Sequence, residues 1–142
     1  CKTLKKVTAI ISEMQKDFDG WNKTKKDLHD RAENRFYHER EVWWCSLGAN
    51  VGFEQDGKGA HFSRPVLIIK GFSKEVFVGI PLTTKAKKSK YYCDISLGDG
   101  LSRKAILSQI RLLDSKRLQE KIETIAEDQF QKIKQAAIRL LE

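Results

Sequence analysis

An α+β fold is predicted, with helices at both ends of the chain and short strands between them. Three observations carry this. Apolar residues recur at three- and four-residue spacing in the first forty positions. The pattern changes to strand-like runs from Glu41. A three- and four-residue rhythm returns after Thr124. Strands this short and numerous point to a small barrel or two packed sheets, not to a doubly wound α/β sheet.

At the N-terminus, Leu4, Val7, Ile10, Ile11, Met14 and Phe18 share one helical face, and Gly20 is expected to break the pattern. A second helical stretch is expected over roughly Lys23 to Tyr37, with a weaker stripe of Leu28, Ala32 and Phe36. Together they suggest a helical hairpin or a kinked helix. "EVWWCSL" then reads as strand. "GANVGFEQDGKGAHFS" has four glycines and no periodicity, so it is a long loop. "VLIIKG" is a continuous apolar run suited to a strand buried on both faces. "KEVFVGIPLTT" alternates, and Pro81, which cannot donate to a ladder, should end that strand or put it on an edge. "KAKKSK" is a basic loop. "YYCDISLGDG" is a strand and turn, and "RKAILSQIRLLD" begins as a fifth strand. Thr124 and Glu127 have the spacing of a capping box, and Phe130, Ile133, Ala137 and Leu140 form one helix face.

A length of 142 residues suits one compact domain with a helical appendage, and 40% hydrophobic content supports a core. No run approaches the roughly 18 apolar residues of a membrane span, and charge interrupts "CKTLKKVTAIISEMQKD" too often for a secretory segment. Cys1, Cys45 and Cys93 are an odd set without CxxC spacing, which excludes a disulfide framework and a zinc pattern. Cys45 and Cys93 fall in strand-like runs, where a thiol acts as a small apolar group. A reducing compartment, the cytoplasm, is the expected location.

The net charge of +8 is unevenly placed. Lys58 to Arg117 holds 13 Lys and Arg against 4 Asp and Glu, and the remainder holds 14 against 15. The whole excess lies in the central segment, as expected for a domain that meets a polyanion. Lys85, Lys87, Lys88 and Lys90 form a run that would follow a nucleic-acid backbone without reading sequence. Trp43 and Trp44 could stack on bases, but neighbours on a strand face opposite ways, so at least one belongs to the core.

In chain order, "LGANVGFEQDG", "RPVLII", "IPLTT" with its basic loop, and "AILSQIRLLDSKRL" resemble the MazF/PemK family of bacterial toxins, which are mRNA-cleaving endoribonucleases. The resemblance spans Glu41 to Leu118 and includes the C-terminal helix. The helical N-terminal region lies outside the minimal pattern, and the loop before Arg64 is longer than usual. The resemblance implies an SH3-like barrel of the CcdB/PemK type over residues 41–142, preceded by a helical extension over residues 1–40. It also implies a homodimer, a cognate antitoxin, and cleavage of single-stranded RNA without a cofactor. Its catalytic pair would be the Arg of "RP", here Arg64, and a Thr at the end of "IPLTT".

The residue chemistry fits that assignment. Cleavage by the neighbouring 2′-OH requires that hydroxyl to be deprotonated, a dianionic phosphorane to be stabilised and the 5′-oxygen to be protonated. A guanidinium fork suits the phosphorane. Pro65 fixes its own φ and holds Arg64 extended at the loop–strand junction, although a rim salt bridge to Glu54 is the competing expectation. Thr83 is the hydroxyl expected near the phosphate, with Thr84 as the alternative one residue on. Because Arg stays protonated, Glu54 and His61 are the candidate acid–base groups. Gln55, Thr84, Lys85, Lys87, Lys88, Gln109 and Arg111 are expected on the RNA side. Gln109 and Arg111 would either contact bases or fix the active loop. No residue cluster calls for a metal. Two other readings share these features: a small-barrel module that binds nucleic acid without cutting it, and a toxin that poisons a protein such as a topoisomerase.

Overall fold

The computed structural model describes residues 15–142. The helical face expected from Leu4 to Met14 lies outside the described residues. Helix α1 (Phe18–His29) is followed by β1 (Glu41–Ser46), β2 (Ser63–Gly71), β3 (Val76–Thr83), β4 (Tyr92–Ser96) and β5 (Ser102–Ile106). Then come β6 (Arg111–Asp114), β7 (Leu118–Thr124) and helix α2 (Glu127–Leu140). Short 3₁₀ turns at Leu107–Gln109 and Ser115–Arg117 join β5 to β6 and β6 to β7.

The seven strands form one antiparallel sheet in the order β4-β5-β3-β2-β1-β7, with β6 pairing β3. β3 holds β6 from Val76 to Gly79 and β5 at Leu82 and Thr83. Pro81 lies between those two pairings, where no ladder partner is required on that edge. The strand therefore runs through the proline instead of ending there. Irregular register in β1–β7 and β2–β3 bends the sheet into an open, barrel-like curl.

Alternate residues of β1 and β2 supply two cores. Val42, Leu67 and Ile69 join Ile80, Leu82, Ala105 and Ile125 on the face covered by α2, whose Phe130, Ile133 and Ala137 pack there with Leu140 beside them. Trp43, Cys45, Val66 and Ile68 meet Phe77, Leu113 and Leu118 on the other face. The "VLII" run is thus buried on both faces, as its composition predicts. Of the two tryptophans, Trp43 is core and Trp44 is exposed.

The helical readings need three corrections. Gly20 lies in the first turn of α1 and does not break it, because the Asp17 side chain caps the helix by accepting from the Gly20 N–H at 2.9 Å. The helix stops at His29, so Ala32 and Phe36 form no stripe, and Phe36 is 79% exposed. Residues 30–40 are held out of helix by tertiary bonds. Arg31 donates to Lys116 O at 2.6 Å and Gln119 Oε1 at 2.9 Å, and Asn34 donates to Ser115 Oγ at 2.9 Å. Lastly, Thr124 and Glu127 form no capping box. The cap is Ala126, and Glu127 pairs with Arg40 at 3.2 Å. The sheet also has two more strands, β6 and β7, than the five expected.

Among the described residues no helix is long and apolar enough to cross a membrane.

Candidate active site

The site begins with a divergence of strands. β2 and β3 pair as far as Val66 and Pro81, and then β3 turns to β5. The Leu82 carbonyl is left facing the start of β2, where Arg64 precedes Pro65. Arg64 Nη1 donates to Leu82 O at 3.0 Å and Nε donates to Asp56 O at 2.8 Å. With the Gln55 amide turned so that oxygen meets donors, its Oε1 lies 2.8 Å from Arg64 Nη2. Three neutral oxygens hold the fork, and one hydrogen on each terminal nitrogen is left over.

Among the described residues Arg64 has no carboxylate partner. The expected rim bridge to Glu54 does not form, because Glu54 Oε1 accepts from the Val51 N–H at 3.0 Å and Glu54 itself is exposed. Burial pulls the Arg64 guanidinium down from its ordinary value, and the nearby Asp56 charge opposes that. An arginine remains charged through such a shift. The result is a half-buried cation that lacks an anion.

Arg64 opens on a cleft of about 510 Å³, lined by Trp44, Lys58, Pro65, Leu82, Thr83, Thr84, Leu101 and Arg103. Thr83 is 8% exposed, and its Oγ1 accepts from the Lys85 N–H at 3.2 Å. The fold therefore brings Arg64, Thr83 and Thr84 to one cleft. Lys85, Lys87 and Lys88 line a neighbouring cleft of about 480 Å³ that shares Thr84 with the first.

The loop over residues 47–62 is tightly folded. Gly57 is required where the chain doubles back, since a Cβ there would stand 1.7 Å from Phe62 O. Asn50 braces the loop from within, donating to Leu47 O at 3.1 Å and Gln55 O at 2.9 Å. Gln109 braces it from the Leu107–Gln109 turn, accepting from Gln55 N at 3.1 Å and donating to Phe53 O at 3.0 Å. Both ends of the Gln109 amide are therefore spent on the loop. Arg111 lines a separate hollow with Phe53, Glu54, Gln55 and Gln109. Glu54 and the exposed His61 stand outside the lining of the Arg64 cleft.

Sequence reasoning does not single out Lys58, Leu101 or Arg103 in this wall, and it leaves Trp44 as one of two candidates for the surface. Trp44 carries an ambiguous signal, because either tryptophan of the pair could have faced outward. Arg103 is 8% exposed and paired with Asp99 at 2.7 Å, and nothing in "LSRKAI" marks it. Among the described residues, His, Cys, Asp and Glu form no group of three or more placed to hold a metal ion.

In comparison with known proteins, none of the curated proteins matches the chain. Solved structures do. MazF from Deinococcus radiodurans is 20% identical with a TM-score of 0.60, covering 76% of this chain and 98% of that one. An endoribonuclease in complex with its cognate antitoxin, from a mycobacterial species, is 18% identical with a TM-score of 0.58, covering 74% and 94%. The Mycobacterium tuberculosis toxin MazF-mt6 is 14% identical with a TM-score of 0.55, covering 72% and 96%. At these identities the likeness is one of fold. The family described as "PemK-like, MazF-like toxin of type II toxin-antitoxin system" matches residues 38–141. The chain, through its residues 38–141, therefore belongs to the PemK-like, MazF-like toxin family of type II toxin–antitoxin systems.

Proposed function

We propose that this chain is a toxin endoribonuclease that cuts single-stranded mRNA without a divalent ion. One observation carries the reading: Arg64 is half-buried, held by neutral oxygens, unpaired with any described carboxylate, and shares a cleft with Thr83. A cation in that state favours a ligand whose negative charge grows during reaction. The 2′-oxygen attacks phosphorus and loses its proton, the P–O5′ bond breaks, and O5′ takes up a proton. The products are a 2′,3′-cyclic phosphate and a 5′-OH. The two remaining Arg64 hydrogens would bond the non-bridging oxygens of the phosphorane, and the Thr83 hydroxyl would complete the set.

Glu54 and His61 are the acid–base candidates carried on the same loop. Replacing each by Gln and recording the pH–rate profile identifies the participant by the limb that disappears. Thr84, Lys85, Lys87 and Lys88 would guide the backbone beyond the scissile phosphate. Gln55, Gln109 and Arg111 would border the strand on the other side of the loop. The family relation supports a cytoplasmic homodimer regulated by an antitoxin, with residues 1–40 as an extension on the toxin domain at 41–142.

The test is incubation of the purified protein with a long single-stranded RNA in excess EDTA. Discrete fragments bearing cyclic phosphate are expected. Retention of RNA without fragments would replace the enzyme with a binding module. Neither retention nor fragments would favour a protein target such as a topoisomerase.

A further inference from the structure

The segment leading into α1 reaches the Arg64 loop through one side chain. Lys16 stands at the entrance to α1, just before the Asp17 cap. Its ammonium touches three oxygens of the loop: Asn50 O at 2.6 Å, Gly52 O at 2.9 Å and Asp56 Oδ2 at 3.0 Å. An ammonium has three hydrogens, so this one is fully engaged and is not a spare cation for RNA. The other Asp56 oxygen, Oδ1, accepts from the Asn50 N–H at 2.6 Å. Both carboxylate oxygens are thereby occupied, while the carbonyl of the same residue holds Arg64 Nε at 2.8 Å. The helix that Lys16 leads into is itself anchored. Trp21 is buried against Gly48, which has φ +90° and leaves no room for a Cβ, and the Arg117 guanidinium lies 5.6 Å above the indole ring.

We propose that Lys16 is a positioning residue for Arg64. It keeps the Asp56 carboxylate turned away from the guanidinium, so that Asp56 aims Arg64 through its carbonyl without neutralising it. Without Lys16, the Asp56 carboxylate loses its ion pair, and Arg64, which already feels the Asp56 charge, becomes a partner for it. The pair that would form competes directly with substrate phosphate. Residue 16 lies outside the matched span of 38–141, so this device belongs to the extension and not to the family domain. The inference rests on the nuclease reading given above.

The experiment compares the wild type with Lys16→Met, Lys16→Arg, Asp56→Asn and the double variant Lys16→Met/Asp56→Asn. Single-turnover cleavage and the Arg64 Nε–Hε NMR resonance are measured for each. Lys16→Met is expected to lower kcat about tenfold or more with KM unchanged, as misplacement of a catalytic group does. Lys16→Arg should retain most activity, and Asp56→Asn should restore most of the loss in the Lys16→Met background, a coupling that a merely structural lysine would not show. The Nε–Hε resonance should move in Lys16→Met and return in the double variant. A raised KM with unchanged kcat would make Lys16 an RNA contact and overturn the proposal. So would a double variant no better than Lys16→Met. If no protein in the series cuts RNA, the nuclease reading fails, and the resonance alone decides the Lys16 claim: an unmoved signal overturns it. Should Lys16→Met fail to fold, Lys16→Gln removes the charge while retaining a donor and is read by the same outcomes.

Discussion

Residues 47–62 and residues 84–91 both join strands at the rim of the Arg64 cleft, and they are held in opposite ways. The first loop is fastened by Asn50 from within, Gln109 from one side and Lys16 from the other, and its Asp56 carbonyl fixes Arg64. In the second, Lys85, Lys87 and Lys88 are exposed. Among the described residues their ammonium groups make no ion pair or hydrogen bond, and the local bonds are short turns such as Lys85 N to Thr83 Oγ1. A fastened loop loses little entropy when a transition state forms, so it suits chemistry. A solvated lysine run adapts to any backbone path, so it suits attraction. The two loops should therefore divide catalysis and binding between them.

The largest expected effect is on the fastened side. Arg64→Lys keeps the charge but loses the planar fork and its three simultaneous oxygen contacts. Single-turnover cleavage should fall by roughly 10²–10³-fold, the scale of removing one preorganised donor. A loss confined to KM would break the division between the loops.

The triple variant Lys85→Ala, Lys87→Ala, Lys88→Ala should act the other way. Affinity for RNA should drop about tenfold at moderate salt, and the slope of log K against log salt should shrink by about 2, at roughly 0.7 per contact with single strands. The maximal rate should hold. Titration across several salt concentrations reads all three quantities.

A smaller effect belongs to the far end of β1, away from the 47–62 loop. Glu41 is 5% exposed. Burial pushes its carboxyl up, but bonds from Lys121 at 2.9 Å, the His38 N–H at 2.7 Å and the Trp43 indole at 3.0 Å outweigh this and leave it below its ordinary value. A depressed carboxylate adds stability above the unfolded pKa, and the contribution is lost as pH falls through the lower folded value. Glu41→Gln should therefore cost about 1 kcal/mol at neutral pH, Lys121 being half in solvent. The cost should vanish in acid. Urea melts at pH 7 and in acid test this, and an equal cost at both would show that the ion pair contributes nothing.

The same contrast explains what the sequence discloses. The "VLII" run and the lysine loop are local patterns, and each appears in the structure where its pattern places it, whereas the alternation read in "KEVFVGIPLTT" gives way to burial on both faces from Gly79 to Thr83. Arg64 was legible because Pro65 marks it and because four motifs stand in order. The braces were not legible. Lys16 and Asp56 lie 40 positions apart and Gln55 and Gln109 lie 54 apart, and such pairings are decided by tertiary geometry. β7 was missed because "LQEKIET" is mostly polar, with only Leu118 fully buried. α1 was misjudged because a glycine in a capped first turn costs far less than one in a helix interior. Cys45 met the apolar reading, and burial pushes its thiol up to about 12. Cys93 is only partly covered, though it packs against the α2-facing core.

The central claim is that a guanidinium without an anionic partner, set beside a threonine hydroxyl, breaks RNA unaided by a divalent ion. The most direct measurement is the single-turnover cleavage rate of a defined single-stranded RNA in excess EDTA, for wild type and for Arg64→Ala, with thermal melting of both. The wild type should cut to cyclic-phosphate ends, and the variant should melt alike and cut at least 10²-fold more slowly. Equal rates from the two proteins, or cleavage that appears only when a divalent ion is restored, would contradict it.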